Sequence, residues 1–383
     1  MRELHDSGPL SRSALVARTG LTRSAIRALV GELVITGLLS EERGTPQGVP
    51  GRPSPLVRPN PTSGVVLAVE ITVDSLAVAG VGFGGEILAL ERAQRPRDRV
   101  SVDETLADLT ALAHTVGARL PYGADLIGVG VAVVGIVRRA DGFVTMAPNL
   151  GWREVPFGAR LGEALETSLP VAVANEADLG ALAEWRRGAA VGADHVLFLS
   201  GEVGVGGGLI VDGKPLTGAA GYGGEVGHMP VNPEGRRCRC GSVGCWETEV
   251  GEGALLRRAG HPPEAGREEV DAVLAEAHAG APDALAAVDA IARWLGFGLA
   301  GLVNVFNPQV VVLGGLFGRI HPLVEATLRA ELDRLTLPQS REVVQVAPAS
   351  LGVDAPLLGA AELAFEPLLA DPGAWTRPAM ATA

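Results

Sequence analysis

Apolar positions near the start of the chain follow the period of two short helices joined by a tight turn. Ser11 and Thr22 stand immediately before the two apolar stretches, and both are residue types that cap helix N-termini. Gly20 lies between them, where the first helix is expected to stop. The pattern therefore predicts helices over 11–19 and 22–37, arranged as a helix-turn-helix. The inward stripe of the second helix is predicted to be Ile26, Leu29, Val30 and Leu33.

The segment after the second helix, residues 40–61, is polar and rich in glycine and proline. It predicts a β-ribbon, or wing, in which Arg52 contacts a phosphate or the minor groove. The exposed N-terminal end of the second helix is the part of such a unit that reaches base edges in the major groove. The candidate DNA contacts there are Thr22, Arg23, Ser24 and Arg27. A helical hairpin without a role in DNA binding is the alternative.

Short apolar strands replace the helical pattern from residue 65 onwards. The order strand, strand, strand, helix, strand is predicted over 65–70, 76–81, 86–92, 102–119 and 126–134. A second series begins at about Asp194, with strands over 196–200, 207–211 and 310–313 and helices over 270–279 and 282–305. A last helix is predicted over 356–365, returning to the first series. The chain is predicted to divide into a small domain (1–60), a larger domain (64–366) and a disordered polar tail (367–383).

Composition is that of a globular protein of two or three domains. The 383 residues are 47 % apolar, enough for a buried core, and no apolar run reaches the length of a membrane span. The N-terminus has no signal-peptide core and the cysteines are few, so we expect a cytoplasmic protein. Lys214 is the only lysine, which excludes a GK[ST] phosphate loop and lysine-based catalysis elsewhere.

Charge is distributed unevenly along the chain. The net charge is −12, yet residues 1–60 hold eight arginines against five acidic residues. A basic head on an acidic body is the asymmetry expected if only the head meets nucleic acid. The excess is small, so the helix-turn-helix pattern carries more of this prediction than the charge does.

The three cysteines lie close together, at Cys238, Cys240 and Cys245. His228 lies ten residues before the first of them, and one imidazole with three thiols makes the ligand set of a closed tetrahedral zinc site. Gly241 and Gly244 let the backbone turn tightly enough for the sulfurs to converge. A structural Zn²⁺ is therefore predicted. Three buried thiols beside an unrelated histidine are the alternative, and the odd cysteine count argues against disulfides.

Acidic residues flank this cluster at Glu225 and Glu247. The segments Glu225-Val-Gly-His, Cys238-Arg-Cys-Gly and Gly244-Cys-Trp-Glu together resemble the signature of the ROK family of sugar kinases and sugar-responsive repressors. In that family the histidine binds zinc and also hydrogen-bonds the sugar, while the two acids contact sugar hydroxyls. The resemblance implies these roles for His228, Glu225 and Glu247.

The resemblance also implies a fold and a fuller set of site residues. The fold class is α/β: a two-lobed actin-like ATPase (ribonuclease H-like) fold preceded by a small α+β winged helix-turn-helix domain. The family's sugar pocket lies between the lobes, and the positions carried over to this chain are Asn149, Asn175, Glu176, Glu225, His228 and Glu247. Trp152 is a candidate stacking platform, with a core position as the more frequent role, and Asp178 is expected to be structural.

Winged-helix domains of this family begin with a full helix before the two described above, whereas only Met1–His5 represent it here. We expect so short a helix to pack poorly and to weaken DNA binding. A sugar-binding protein with an inactive head is therefore one alternative for the whole chain.

The nucleotide side departs from the kinase pattern at three places. Family kinases open a phosphate-binding hairpin with Asp-x-Gly-Gly-Thr, where this chain has Glu70-Ile-Thr-Val-Asp74. The second phosphate loop carries Glu202, an acid that repels phosphates. Glu176 replaces the catalytic aspartate of Asn-Asp-Ala-Asn, and its extra methylene moves the carboxylate by about an ångström, which spoils alignment for phosphoryl transfer.

These observations predict a zinc-containing, sugar-responsive transcriptional regulator, a repressor of carbohydrate genes that binds a monosaccharide without phosphorylating it. The predicted partners are operator DNA, the sugar and further copies of the chain in a homodimer or homotetramer, with no membrane. Sugar bound across the cleft favours lobe closure, so sugar and operator are expected to compete. An ATP-dependent sugar kinase of the glucokinase type is the alternative. Glu176 inclines the sugar prediction towards xylose-repressor-like members, with glucose and N-acetylglucosamine left open.

Overall fold

The computed structural model describes residues 1–42, 54–97 and 100–374, and it shows a small N-terminal head joined to two larger lobes. The head consists, within the described residues, of α1 (Arg2–Ser7), β1 (Leu10–Ser11), α2 (Arg12–Thr19), α3 (Arg23–Ile35), β2 (Leu39–Glu42) and β3 (Leu56–Pro59). Its antiparallel strands are ordered β1-β3-β2, and β2 with β3 form the base of the predicted wing. The tip of that ribbon, including Arg52, lies outside the described residues.

The helix-turn-helix begins and turns where its capping residues predict. The side chains of Ser11 and Thr22 each accept a hydrogen bond from the backbone N–H three residues on, at 3.1 and 3.2 Å. Gly20 has a φ of 68°, the left-handed conformation that ends α2. Both helix starts are therefore confirmed, while α3 ends at Ile35 rather than at residue 37.

The inward stripe of α3 is narrower than the sequence pattern predicts. Ile26 and Val30 are buried and Leu33 is half-buried, whereas Leu29 is 45 % exposed. The helix meets α2 on one side and β2 at its end, so a position at the edge of the stripe faces solvent. The prediction that Leu29 points inward is wrong.

The short helix α1 packs closely, contrary to expectation. Leu4 is 2 % exposed and belongs to a hydrophobic core that continues from the head into the first lobe. His5 is fully buried, and its ring centroid lies 5.0 Å from that of Phe83 and 4.9 Å from that of Phe365. Six residues suffice because α1 is anchored on α6 of the body as well as on β3 of the head, where α6 is the helix Glu176–Arg187.

The first lobe is built on a five-stranded sheet. Its elements are β4 (Val65–Ile71), β5 (Ser75–Gly82), β6 (Glu86–Gln94), α4 (Val102–Arg119), β7 (Leu126–Val133), β8 (Ile136–Arg138), β9 (Phe143–Ala147), β10 (Trp152–Val155), α5 (Phe157–Ala164), β11 (Val171–Asn175) and α6. The strand order is β11-β7-β4-β5-β6: an antiparallel meander of β4 to β6, extended in parallel by β7 and β11. A small antiparallel sheet, β8-β9-β10, leads to the cleft.

The second lobe repeats this topology. Its elements are β12 (Val196–Gly201), β13 (Val205–Val211), β14 (Lys214–Pro215), α7 (Glu247–Val250), α8 (Glu252–Arg258), α9 (Arg267–His278), α10 (Pro282–Phe306), β15 (Val310–Gly314), α11 (Gly315–Leu335), α12 (Pro338–Val343) and β16 (Gln345–Pro348), and the chain then enters α13 (Ala355–Ala370). The sheet order β14-β13-β12-β15-β16 again joins an antiparallel meander to two parallel strands. Two lobes with one strand order are what the actin-like prediction requires.

Helix α13 returns to the first lobe, as predicted, but runs further than the sequence pattern indicates. It packs on β4, β7 and α6 and ends at Ala370. Leu368 and Leu369 are each 7 % exposed because they cover the shared core of the head and the first lobe. The first residues of the predicted disordered tail are therefore helical, while residues 375–383 lie outside the described part of the chain.

Helix α10 is the one described helix that is long and apolar enough to cross a bilayer by length and composition. It has 25 residues and a mean hydropathy of 1.4, with 61 % of its most apolar window buried. Its apolar face packs against α9 and α11 in the core of the second lobe. Burial inside the protein accounts for its composition.

Candidate functional site

The cleft between the lobes contains a cavity of about 90 Å³ that all six predicted sugar-binding residues line. Those residues are Asn149, Asn175 and Glu176 from the first lobe and Glu225, His228 and Glu247 from the second. Because they lie on facing lobes, the angle between the lobes sets the distances across the cavity. A wider depression of about 690 Å³ beside α5, open to solvent, contains none of them.

The four predicted metal ligands converge on one point. Their ligand atoms all lie within 4.8 Å of one another. Cys240 Sγ and Cys245 Sγ are 3.7 Å apart, and Cys238 Sγ is 3.8 Å from His228 Nδ1. Bonds of about 2.3 Å to sulfur and about 2.0 Å to nitrogen give a tetrahedral zinc site edges of roughly 3.5–3.8 Å. The four side chains therefore fit one tetrahedral metal ion with little adjustment.

Tight turns bring the three sulfurs together, as the glycines predict. Gly241 and Gly244 have φ values of 99° and 71°, in a region that side chains disfavour. A Cβ on Gly244 would lie 1.6 Å from Asn232 O, so only glycine fits there. Burial and then Glu247 raise the pKa of the Cys238 thiol, a cost that a bound cation offsets because metal ligation requires the thiolate.

Trp246, next to the last cysteine, anchors this loop in the second lobe. The side chain is fully buried, and its Nε1 donates to Trp294 O at 2.8 Å.

Trp152, the candidate stacking platform, also has a core role. It is 4 % exposed, its ring stacks on Phe157, and it does not line the cavity. Trp152 is therefore a core residue rather than a stacking platform for a sugar ring.

Asn175 and Glu176 stand where β11 passes into α6. Asn175 Oδ1 accepts hydrogen bonds from the backbone N–H groups of Ala177 and Asp178, at 2.8 and 3.3 Å, and so caps α6. Its Nδ2 donates to Gly135 O at 2.9 Å. Asn175 thus holds the start of the helix and keeps one N–H for a ligand. Asp178, predicted to be structural, does not line the cavity.

The Glu176 carboxyl group is strongly perturbed by its surroundings. Burial in the cleft, followed by the charges of Glu202, Glu70 and Asp74, raises its pKa to about 8. At neutral pH the group is largely protonated, so it can donate as well as accept a hydrogen bond. A protonated carboxyl cannot take a proton from a substrate hydroxyl. The protonated form of Glu176 can thus hydrogen-bond a hydroxyl, while only the ionised minority could act as a general base at neutral pH.

The metal ligands and the pocket acids touch one another. His228 Nδ1 faces Cys238 Sγ, while Nε2, on the pocket side, is 3.8 Å from Glu225 Oε2. Glu247 Oε1 accepts from Cys238 Sγ at 2.8 Å. Its Oε2 lies 2.8 Å from the position that a Cβ on Gly204 would occupy. A larger residue at 204 would therefore collide with the Glu247 side chain. A metal that fixes the ligands also fixes both acids.

Arg239 is a pocket residue that the sequence did not single out. It lies between two metal ligands, lines the cavity, and its Nη1 donates to Asn149 Oδ1 at 2.7 Å. Its place inside the cysteine motif was visible in the sequence. No sequence pattern indicated that the side chain crosses to the other lobe.

Ion pairs fill the side of the cleft where the kinase pattern predicts a phosphate hairpin. Asp74, in the turn between β4 and β5, accepts hydrogen bonds from Arg97 Nη2 and Arg267 Nε, each at 2.9 Å. Arg97 also donates to Glu252 at 2.8 Å, and Arg267 to Glu202 at 3.1 Å. Asp74 and Arg97 belong to the first lobe and the other three residues to the second. The network therefore ties the lobes together.

The acids of this region are either paired or neutralised. Burial opposes ionisation of Asp74, but Arg267 and Arg97 together lower its pKa. Burial raises the pKa of Glu202 to about 7 despite the nearby Arg267. It does the same for Glu70, again to about 7, although Arg92 Nη1 donates to that carboxylate at 3.2 Å. The arginines that bridge this turn are thus already engaged by carboxylates.

The predicted DNA contacts on α3 are all accessible. Thr22, Arg23, Ser24 and Arg27 are exposed on the first turns of the helix or at its cap. Arg52, the fifth predicted contact, falls in the wing tip outside the described residues.

The architecture is shared with known proteins. The family described as ROK family matches residues 66–366. The chain belongs to the ROK family. A ROK relative, the xylose repressor of Bacillus spizizenii, is 29 % identical over 370 residues, which cover 96 % of this chain and 94 % of the relative. The glucokinase of Streptomyces coelicolor is 33 % identical over 321 residues, covering 79 % of this chain and 98 % of the relative.

Solved structures support the whole architecture of this ROK protein. A ROK family transcriptional regulator, a homologue of the E. coli MLC protein, matches with a TM-score of 0.77 at 26 % identity, covering 94 % of this chain and 93 % of that chain. The two-lobed fold preceded by a small domain is therefore confirmed. The regulators align over nearly the whole chain, whereas the glucokinase leaves 21 % of it uncovered, more than the share taken by the head.

Proposed function

We propose that this ROK protein is a sugar-responsive transcriptional repressor, which binds operator DNA through its head and a monosaccharide in its cleft. Relatives named as a repressor and as a transcriptional regulator align over nearly the full chain, head included. The exposed first turns of α3 supply the surface that a helix-turn-helix presents to the major groove. Two copies of the head are needed to read two half-sites, so the active form is a homodimer or a dimer of dimers.

We infer that the protein does not phosphorylate the sugar mainly because Asp74 is hydrogen-bonded to both Arg97 and Arg267. Phosphoryl transfer needs backbone amides, cations and metal ions aimed at the phosphates. Here the cationic side chains are bound to carboxylates, and the acids Glu70 and Glu202 stand close by. Glu176, at the family's catalytic position, is largely protonated at neutral pH. Sugar binding is retained while the parts that hold and activate ATP have been replaced.

The metal is proposed to be Zn²⁺ in a structural role. One nitrogen and three sulfurs at tetrahedral spacing leave no coordination position for water or substrate, which is the pattern of a structural zinc site. Bound there, the ion holds the Cys-rich loop in shape. His228 then keeps Nε2 for a sugar hydroxyl, and Glu247 is held in place through the loop because it lies two residues after the ligand Cys245.

The effector is proposed to be a pentose such as D-xylose. The alignments with relatives named as xylose repressors cover 96 % of this chain. A cavity of about 90 Å³ holds one small ring rather than an oligosaccharide. The largely protonated Glu176, the two asparagines and the carboxyl oxygens of Glu225 and Glu247 offer both donors and acceptors to its hydroxyls.

Fluorescence anisotropy with a labelled fragment of the promoter next to this gene tests the proposal. The zinc-loaded protein is expected to bind the fragment and to release it when D-xylose, D-glucose or N-acetyl-D-glucosamine is added. The same sample is assayed for ADP production with ATP, Mg²⁺ and each sugar, because glucokinases are also relatives. ADP production without DNA binding would establish the kinase alternative instead.

A further inference from the structure

Arg239 connects the two walls of the cleft at its mouth. It lies in the second lobe between the metal ligands Cys238 and Cys240, and its Nη1 donates to Asn149 Oδ1 at 2.7 Å. Asn149 lies in the first lobe, in the loop between β9 and β10, and both side chains line the cavity. One hydrogen bond therefore joins the metal loop to the opposite side of the pocket.

This hydrogen bond fixes the direction of the Asn149 amide. A guanidinium only donates, so the atom facing it is Oδ1 and Nδ2 points away. Nδ2 lies 3.8 Å from the point where a Cβ on Gly204 would stand, and Glu247 Oε2 lies 2.8 Å from that point. Asn149 Nδ2 and Glu247 Oε2 thus both lie beside Gly204 on the cavity wall, where the fixed amide presents a donor and Glu247 an acceptor.

We propose that Arg239 is a positioning residue for the effector, which orients Asn149 so that its Nδ2 and Glu247 Oε2 bind one sugar hydroxyl. The inference rests on the proposed sugar-binding function. With the amide reversed, Asn149 would present Oδ1 beside the Glu247 carboxylate. A hydroxyl has one proton and can donate to only one of two such acceptors, so the reversed orientation binds it less well.

A double-mutant cycle tests this role by isothermal titration of the zinc-loaded full chain. The probe is whichever of D-xylose, D-glucose and N-acetyl-D-glucosamine binds the unmodified protein most tightly. Arg239→Met, which keeps the aliphatic stem and removes the donors, is expected to weaken binding about 5- to 10-fold. Arg239→Lys is expected to recover part of this loss. In an Asn149→Ala background Arg239→Met is expected to have no further effect.

The control is Arg237→Met, which changes an exposed arginine of the same loop and is expected to leave affinity unchanged. Full affinity in Arg239→Met, losses that simply add in the double variant, or loss of zinc from Arg239→Met would each overturn the positioning role. An unmodified protein that binds none of the three sugars would count against the proposed function instead.

A second, independent observation concerns α6, whose ends lie at two different sites. At its N-terminus, Glu176 lines the sugar cavity. At its C-terminus, Arg186 and Arg187 reach the polar cluster in which the head is docked. A helix of twelve residues spans about 17 Å between these ends. One rigid element therefore joins the cavity to the head.

The cluster at the C-terminal end of α6 is buried and closely connected. His5 of α1 accepts a hydrogen bond on Nδ1 from Gly84 N at 3.1 Å, and its Nε2 lies 3.0 Å from Glu362 Oε2 and 2.8 Å from Arg187 Nη2. Arg186 Nη1 donates to the same Glu362 oxygen at 2.7 Å. The side chains of His5 and Glu362 are 0 % and 1 % exposed, so their partners cannot be replaced by water.

We infer that α6 transmits occupancy of the sugar cavity to the head. This inference also rests on the proposed function. A sugar that shifts Glu176 shifts the helix that begins there, and Arg187 moves with it. A buried ionic cluster tolerates little displacement of one member, so α1 and the head must follow.

Hydrogen exchange measured on the α1 amides, residues 2–8, tests this route without any operator DNA. Saturating sugar, again the tightest of the three, is expected to change their exchange rates by at least about threefold. Arg187→Gln is expected to remove this response while leaving sugar affinity within about threefold. The control is Arg293→Gln, which changes an exposed pair with Asp289 in the second lobe, at 3.0 Å.

Unchanged α1 exchange in unmodified protein that calorimetry shows to be sugar-bound would overturn the route, as would a full response in Arg187→Gln. Should Arg187→Gln fail to melt cooperatively, Arg187→Lys serves in its place, because it keeps the charge and loses the guanidinium that contacts Glu362, Gly84 and His5 together. Absence of sugar binding in the calorimeter would again point to failure of the proposed function.

Discussion

Arg97 of the first lobe donates a hydrogen bond to Glu252 of the second lobe at 2.8 Å. The same guanidinium binds Asp74, which in turn is bound by Arg267 of the second lobe. The lobes are thus connected by side chains on the side of the cleft where the kinase pattern predicts a phosphate-binding hairpin. The sugar side of the same cleft remains a polar cavity beside a tetrahedral ligand set. Under the proposed function, the fold keeps a sugar-binding site on one side of the cleft and does not transfer phosphate on the other.

Restoring the family's catalytic residue is expected not to restore catalysis. Glu176→Asp supplies the missing aspartate, but Asp74 stays bound to Arg97 and Arg267, and Glu202 stays beside the phosphate position. ADP release from ATP, Mg²⁺ and D-xylose or D-glucose is measured by a coupled assay, with a ROK glucokinase run in parallel as positive control. Neither the unmodified protein nor the variant should exceed background, and sugar-dependent ADP release from either would contradict this expectation.

The raised pKa of Glu176 predicts a pH-dependent stability difference. The Glu176 pKa is about 8 in the folded protein, above that of an exposed glutamate. The folded state therefore gains stability from protonated Glu176 below the unfolded pKa. It loses that stability as pH rises towards 8. Glu176→Gln cannot ionise and escapes this loss. The melting temperature of the variant minus that of the unmodified protein should therefore grow by a few degrees between pH 5 and pH 8.5.

The matched control for that experiment is Glu264→Gln, which changes an exposed carboxyl group. Its difference from the unmodified protein should stay flat over the same range. A flat profile for Glu176→Gln would mean that Glu176 ionises as freely in the folded protein as in the unfolded chain.

Loss of one thiolate should cost both the metal and the sugar. Cys245→Ser is expected to lower the zinc content from one equivalent to near zero, because a closed site depends on all four ligands. Sugar affinity should fall at least about tenfold, since His228 and Glu247 lose their support. Elemental analysis and calorimetry measure the two effects, with Ser242→Ala in the same loop as the control. A zinc-free variant that binds sugar normally would separate the metal from the pocket.

Most of the local structure predicted from the sequence depended on the spacing of residues that are close together in the chain. The Cys-rich loop, the glycines with positive φ and the helix caps depend on residues a few positions apart, so their geometry could be inferred directly. The six pocket residues came instead from a family resemblance, and they do line one cavity. A core position was the more frequent role expected for Trp152, and the side chain is buried.

Contacts between distant segments were beyond the sequence pattern. Asp74 and Arg267 are separated by 193 positions, and His5 and Glu362 by 357. No periodicity or motif pairs such residues. The close packing of α1 was missed for the same reason, because the surface that stabilises it belongs to α6 and α13 rather than to its neighbours in the chain. Arg239 was missed because its partner lies in the other lobe.

The exposed arginines of α3 are expected to set the affinity of the head for DNA. Arg23→Ala and Arg27→Ala should each weaken binding to the promoter fragment, and each should reduce the salt dependence by about one unit of slope if the side chain contacts phosphate. Anisotropy titrations between about 50 and 200 mM salt measure both quantities. Arg329→Ala, at a side chain 73 % exposed on the second lobe, is the control. Equal slopes for all three variants would place the DNA elsewhere.

The central claim is that sugar binding in a metal-supported, non-catalytic cleft controls the head. The most direct measurement is the affinity of the zinc-loaded protein for its labelled promoter fragment, determined with and without saturating sugar and with ATP present throughout. The account predicts an affinity at least about fivefold weaker with sugar, with no ADP formed. An unchanged DNA affinity when the sugar site is demonstrably full, or steady conversion of ATP and sugar to products, would contradict it.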